Sequence, residues 1–147
     1  MSDYDPVKAH EYYEKNKQLK GKRSTKGFTQ TQKEQFAYAK DQLREQYKEE
    51  VSSISDSVKQ QKEMLTQLAK AKIESIRQQL KDRLKYMTPE EKKAAREAIG
   101  AAIGKIREST ASKKQSVSEK GKASKEKAKK QYEAAVDAAH ADIKGEA

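Results

Sequence analysis

His10 is followed at once by Glu11 and then by Glu14, an imidazole beside two carboxylates of the kind that can hold a divalent cation. One histidine with acids on a hydrated stretch is a weak donor set, and the second histidine, His140, lies at the other end of the chain. The expectation is that no metal is bound. The chain has no cysteine, which removes thiolate ligands, disulfides and a cysteine nucleophile together. Most carboxylates stand beside lysines, where no tuning of their acidity is expected. No phosphate loop, nucleophile elbow or dinucleotide fingerprint occurs. The residues therefore point to a protein that is not an enzyme and carries no cofactor.

What remains is binding chemistry. Tyr4, Tyr12 and Tyr13 put three of the seven tyrosines within ten residues. Tyrosine joins apolar area to a polar tip and suits a contact surface. With Pro6, Val7, His10 and Leu19 these residues form a candidate partner-binding set. Folding back onto the chain's own helices is the competing reading, and both stay open here.

Two cationic stretches are the other candidates. Lys15, Lys17, Lys20, Lys22, Arg23 and Lys26 follow one another with no acid between them. Lys113, Lys114, Lys120, Lys122, Lys125, Lys127, Lys129 and Lys130 share residues 113–130 with only Glu119 and Glu126. Each stretch carries a charge of +6 of the net +10, so the rest of the chain is close to neutral. Such patches suit phosphates or an acidic protein wall, or are simply solvated. Lysine outnumbers arginine in them, so a contact with nucleic acid would be electrostatic positioning and not base reading. No regular interleaving of aromatics offers a stacking platform for single strands.

These residues need elements to hold them. Leu, Ile, Val and Phe make up about 14% of the 147 residues and 38% are charged, a composition that excludes an ordinary globule. Disorder or a thin helical structure is left. Asp5 and Pro6 open a first helix over residues 1–20, as cap and first helical residue. Residues 21–30, basic and bearing Gly21 and Gly27, read as a flexible linker. From 31 to 147 the pattern is helical, with one break near 86–89, where Thr88, Pro89 and Glu91 form a capping box. Thr31 with Glu34, and equally Thr29 with Gln32, fit the start of the first long helix.

The apolar stripe of that helix runs Phe36, Lys40, Leu43, Tyr47, Val51, Ile54, Val58, Gln61, Leu65, Leu68, Lys72, Ile76, Leu80, Leu84, Met87. The second runs Ala95, Ile99, Ala102, Ile106, Thr110, Lys113, Val117, Gly121, Ser124, Ala128, Tyr132, Ala135, Ala139. Both advance by a little over 3.6 residues per step, nearer an eleven-residue than a seven-residue repeat. The predicted fold is all-α: a short N-terminal helix, a basic linker and a long antiparallel hairpin resembling a coiled coil. In it Leu43 faces Tyr132 and Phe36 faces Ala139. Gly100 and Gly104 in "GAAIG" would allow close packing against residues 68–76, and Gly121 would weaken the far part of the second helix. No run has the length of a membrane span, and the acidic start lacks the apolar core of a signal peptide, so a soluble protein with no membrane partner is expected.

Asp5 to Tyr13, "DPVKAHEYY", followed by Leu19-Lys20-Gly21-Lys22-Arg23, resembles the start of small basic proteins encoded among the head and structural genes of tailed bacteriophages. That pattern continues L-K-G-R, and this chain carries one extra lysine in it. The resemblance covers about 20 of 147 residues. It implies a structural or assembly protein of the virion or procapsid, made in the host cytoplasm, with a capsid or portal-region protein as partner and self-association through the helices. The competing expectation is a packaging or condensing protein that binds DNA non-specifically through the two lysine-rich stretches. A host-directed adaptor carried by the phage is a third reading.

Overall fold

A computed structural model describes residues 23–145. Two helices, α1 (Gln30–Leu84) and α2 (Pro89–Gly145), pack against each other, and no strand occurs among the described residues. The fold is an all-α helical hairpin. The expected first helix over 1–20 lies outside the described residues.

The helix ends follow from side-chain chemistry. At the start of α1 it is Thr29, not Thr31, that caps. Thr29 Oγ1 accepts from the Gln32 amide at 3.2 Å, and Gln32 Oε1 accepts from the Thr29 amide at 2.8 Å. Two orphan amides are satisfied reciprocally. At the turn, the amides of Tyr86 and Met87 donate to the carbonyls of Arg83 and Leu84 at 3.1 and 3.3 Å, closing the last turn of α1. Thr88 Oγ1 then accepts from the Glu91 amide at 3.2 Å, and Pro89 takes the first position of α2. Lys81 and Arg83 end α1 while Glu90 and Glu91 begin α2, both favourable to the helix dipoles.

The stripes keep the expected mean spacing but change register. Buried or half-buried positions of α1 recur at 36, 40, 43, 47, 51, 54, 58, 62, 65, 69, 73, 76, 80 and 84. Those of α2 recur at 92, 95, 99, 103, 106, 110, 114, 117, 121, 125, 128, 132, 136, 139 and 143. Both are unbroken cycles of steps of four, four and three, an eleven-residue repeat. Gln61, Leu68 and Lys72 are exposed, and Lys62, Ala69 and Ile73 hold their places. In α2 Lys113 and Ser124 give way to Lys114 and Lys125, and Ile103 and Val136 are the buried members beside Ala102 and Ala135. The physical reason is that one residue is a 100° rotation, so a mean step does not decide which neighbour faces inward. Following Leu68 places the stripe one residue off; the helix instead buries Ile73 and leaves Leu68 54% exposed.

The described residues divide into two compact units, 23–49 with 127–145 and 50–126. In the first, Phe36, Val136 and Ile143 form a core against which Phe28, Leu43 and Tyr132 pack. The register differs from the expected pairing. Tyr132 stacks on Tyr47, with centroids 5.0 Å apart, one turn beyond Leu43. Phe36 meets the His140 ring edge-on at 5.1 Å. Lys40, a gap in the apolar stripe, is half-buried with its ammonium 5.3 Å from the Phe36 ring centroid. Gln32, buried, also donates through Nε2 to the Ile143 carbonyl at 3.2 Å, so one amide side chain caps α1 and ties down the last turn of α2.

In the second unit Ile73, Ile103 and Gly121 are buried and the other stripe residues are half-buried, so the apolar contact is thin. Gly121 is buried, and a Cβ there would stand 2.5 Å from Val58 Cγ2. The glycine is required by this close approach. Gly100 and Gly104 are different: a Cβ on either meets nothing within 4 Å. The expectation that they permit tight helix packing is therefore corrected; Ile103 supplies the contact.

Candidate interaction surfaces

The segment read as a flexible linker is, from Arg23 onward, fastened to the end of α2. The Arg23 guanidinium pairs with the Asp137 carboxylate at 2.6 Å and donates to the Glu133 carbonyl at 3.1 Å. The Ser24 carbonyl lies 2.8 Å from His140 Nε2; a carbonyl only accepts, so Nε2 carries the proton. Phe28 stacks on the His140 ring at 5.2 Å and meets Phe36 edge-on at 6.4 Å. The reversal between them is a turn closed by the Phe28 amide on the Thr25 carbonyl at 3.0 Å, with Gly27 at φ +88°. Basic and glycine-rich composition hid this, because the anchoring groups lie more than a hundred residues away in sequence.

The candidate residues are thus sorted. Tyr4, Pro6, Val7, His10, Tyr12, Tyr13 and Leu19 lie outside the described residues, as do Lys15, Lys17, Lys20 and Lys22. Arg23 is engaged with Asp137 and is not a free cation for a phosphate. Lys26 is exposed, its amide donating to Ser24 Oγ at 3.2 Å. In the second stretch Lys113, Lys120, Lys122, Lys127 and Lys130 are exposed. Lys114, Lys125 and Lys129 are half-buried, and the first two occupy stripe positions, where their methylene stems cover apolar surface while the ammonium reaches water. The array therefore divides into solvent-facing lysines and lysines that complete the seam.

His140, Asp137 and Phe28 were not among the candidates, and Arg23 was one only as a cation of the basic stretch, not as a partner of Asp137. The one signal for them is that a histidine directly after a stripe alanine, and one of only two phenylalanines placed outside the stripe, each need a partner. No helix among the described residues is long and apolar enough to cross a membrane. No protein-family model, curated protein or solved structure matches the chain.

Proposed function

We propose that the chain is a non-enzymatic structural or assembly component of a tailed-bacteriophage particle, of the scaffolding or head-associated kind. In this reading the helical hairpin is the body and the tyrosine-bearing N-terminal string docks on a capsid or portal-region protein. The observation that supports it is the clamp at Arg23. Arg23, the last residue of the string that resembles phage head proteins, is held by Asp137 and the Glu133 carbonyl. A docking peptide gains from such a fixed origin, because weak contacts are multiplied when many copies present it in the same way. Mass spectrometry of purified procapsids and mature particles tests the reading. Presence in procapsids alone marks a scaffold, and presence in both marks a resident component. Absence from both contradicts it.

A second reading, a non-specific DNA-binding packaging or condensing protein, is favoured by the exposed lysines 113, 120, 122, 127 and 130 on α2. Its test is a salt titration on random duplex DNA. A log–log slope of about −0.9 for each phosphate neutralised is expected, so five contacts give a slope of about −4.5. A flat titration, or no binding at low salt, removes it.

A further inference from the structure

We propose that the unit of residues 50–126 carries a docking groove for an acidic amphipathic helix of another protein. This surface is separate from the N-terminal string and does not rest on the function proposed above. The groove lies where α1 and α2 meet and has a volume of about 760 Å³. Ala69, Ile73 and Ala111 line it, together with Thr66 and Thr110. Both threonine hydroxyls are already used. Thr66 Oγ1 donates to the Lys62 carbonyl at 3.0 Å, and Thr110 Oγ1 to the Ile106 carbonyl at 2.7 Å. The lining therefore offers small apolar surface with no hydroxyl in need of a partner.

Four cations border this surface: Lys70 and Arg77 on α1, Arg107 and Lys114 on α2. Within each helix the two are seven residues apart, two turns along one face. Glu74 is the one acid among the lining residues. The ion pairs among the described residues are Arg23–Asp137 and Lys48–Glu45, so none of the four cations is paired with a described carboxylate. Three positive charges are left uncompensated around an apolar recess.

That combination selects the occupant. The recess between two packed helices accepts a third helix, and small side chains in its lining let the backbone approach closely. Between Thr66 and Arg77 the lining extends for about three turns, roughly 16 Å at 1.5 Å per residue. The charges then ask for carboxylates on both flanks of the incoming helix, spaced by two turns. Phosphates of a duplex would use the cations and leave the apolar lining without a role. A second copy docking groove to groove would set four cations against four. The occupant is an acidic helix of at least three turns with an alanine- or leucine-rich stripe.

Fluorescence anisotropy with the full chain tests this. The probe is a labelled three-heptad peptide with alanine and leucine on one face and glutamate on both flanks. Its comparisons are a twin with lysine for every glutamate and a random 20-base-pair duplex. The glutamate peptide binds at low salt and weakens as salt rises, and the lysine twin does not bind. The variant Lys70→Glu, Arg77→Glu, Arg107→Glu, Lys114→Glu weakens binding roughly tenfold or more, with helical circular dichroism unchanged. Ala111→Trp, which fills the groove without altering charge, does the same. Lys33→Glu, Lys59→Glu, Lys81→Glu, Lys93→Glu, an equal charge change at exposed positions elsewhere, stays within about twofold. If the quadruple groove variant fails to fold, Arg77→Gln with Arg107→Gln is read in its place. The proposal is overturned if the glutamate peptide does not bind or if the control variant loses as much as the groove variant. It is also overturned if the duplex binds through these residues while the peptide does not, or if Ala111→Trp abolishes self-association, which would make a second copy the occupant.

Discussion

His140 is the residue on which the anchored segment turns. Its ring lies against Phe28 and Phe36, its Nε2 proton is given to the Ser24 carbonyl, and it is 6% exposed. His140→Ala removes two aromatic contacts and a hydrogen bond at once, a loss of about 2–4 kcal/mol in chemical denaturation. The same variant should be cut faster by trypsin after Arg23 and Lys26, because the segment is no longer held. Unchanged cleavage would mean that Arg23 alone anchors it. Gly121 makes a second residue-level case with opposing effects. Alanine gains about 1 kcal/mol of helix propensity, yet its Cβ would meet Val58, whose branched side chain has little rotamer freedom in a helix. Overpacking costs about 1–3 kcal/mol, so Gly121→Ala is expected to be net destabilising. Adding Val58→Ala to Gly121→Ala should recover stability relative to the sum of the single variants. Strict additivity in that double-mutant cycle would show that the two residues do not touch.

At the scale of the element, the two long helices and the turn between them were legible and the inward face was only partly so. Thr88-Pro89 with Glu91 marks the turn unambiguously, since proline suits the first helical position and threonine supplies the missing acceptor. The competing starts at Thr29 and Thr31 could not be separated by pattern. What separates them is Gln32, whose amide also reaches the Ile143 carbonyl, a contact that exists only after the chain has folded back. The stripe differs around residues 61–72 for a related reason: leucine is the larger apolar residue, while the fold turns the half-buried Ala69 and the buried Ile73 inward there. This is measurable. Ile73→Ala should cost about 2–4 kcal/mol, whereas Leu68→Ala, at a half-exposed site, should cost less than about 1 kcal/mol. Equal losses would restore the leucine-centred register.

At the scale of the whole molecule, charge organises what the apolar residues cannot. With so few large side chains, and with Tyr38, Met64 and Leu68 exposed, apolar residues do not fill the seam, and lysines at 40, 62, 92, 114 and 125 take places in it. All-α class, the two long helices and the site of the turn between them follow from composition and punctuation. The candidate surfaces were harder to read. A cationic run does not disclose which of its members are paired, and Arg23 is paired with a carboxylate 114 residues away. Nor does it show that Lys70, Arg77, Arg107 and Lys114 converge on one groove, because that depends on the register between helices. Salt should therefore act twice, weakening the clamp at Asp137 and any acidic partner in the groove, while leaving the seam itself nearly unchanged.

The claim beneath all of this is that α1 and α2 close on each other within one chain. The absence of cysteine makes the test clean. Tyr47→Cys with Tyr132→Cys places a single pair where the two rings now stack at 5.0 Å. A short bifunctional thiol reagent, applied to a mixture of unlabelled and nitrogen-15-labelled chains, should give a crosslinked species of monomer mass in which residues 47 and 132 come from the same chain. Crosslinked dimers carrying one light and one heavy chain, with no monomeric product, would show that the seam is made between molecules.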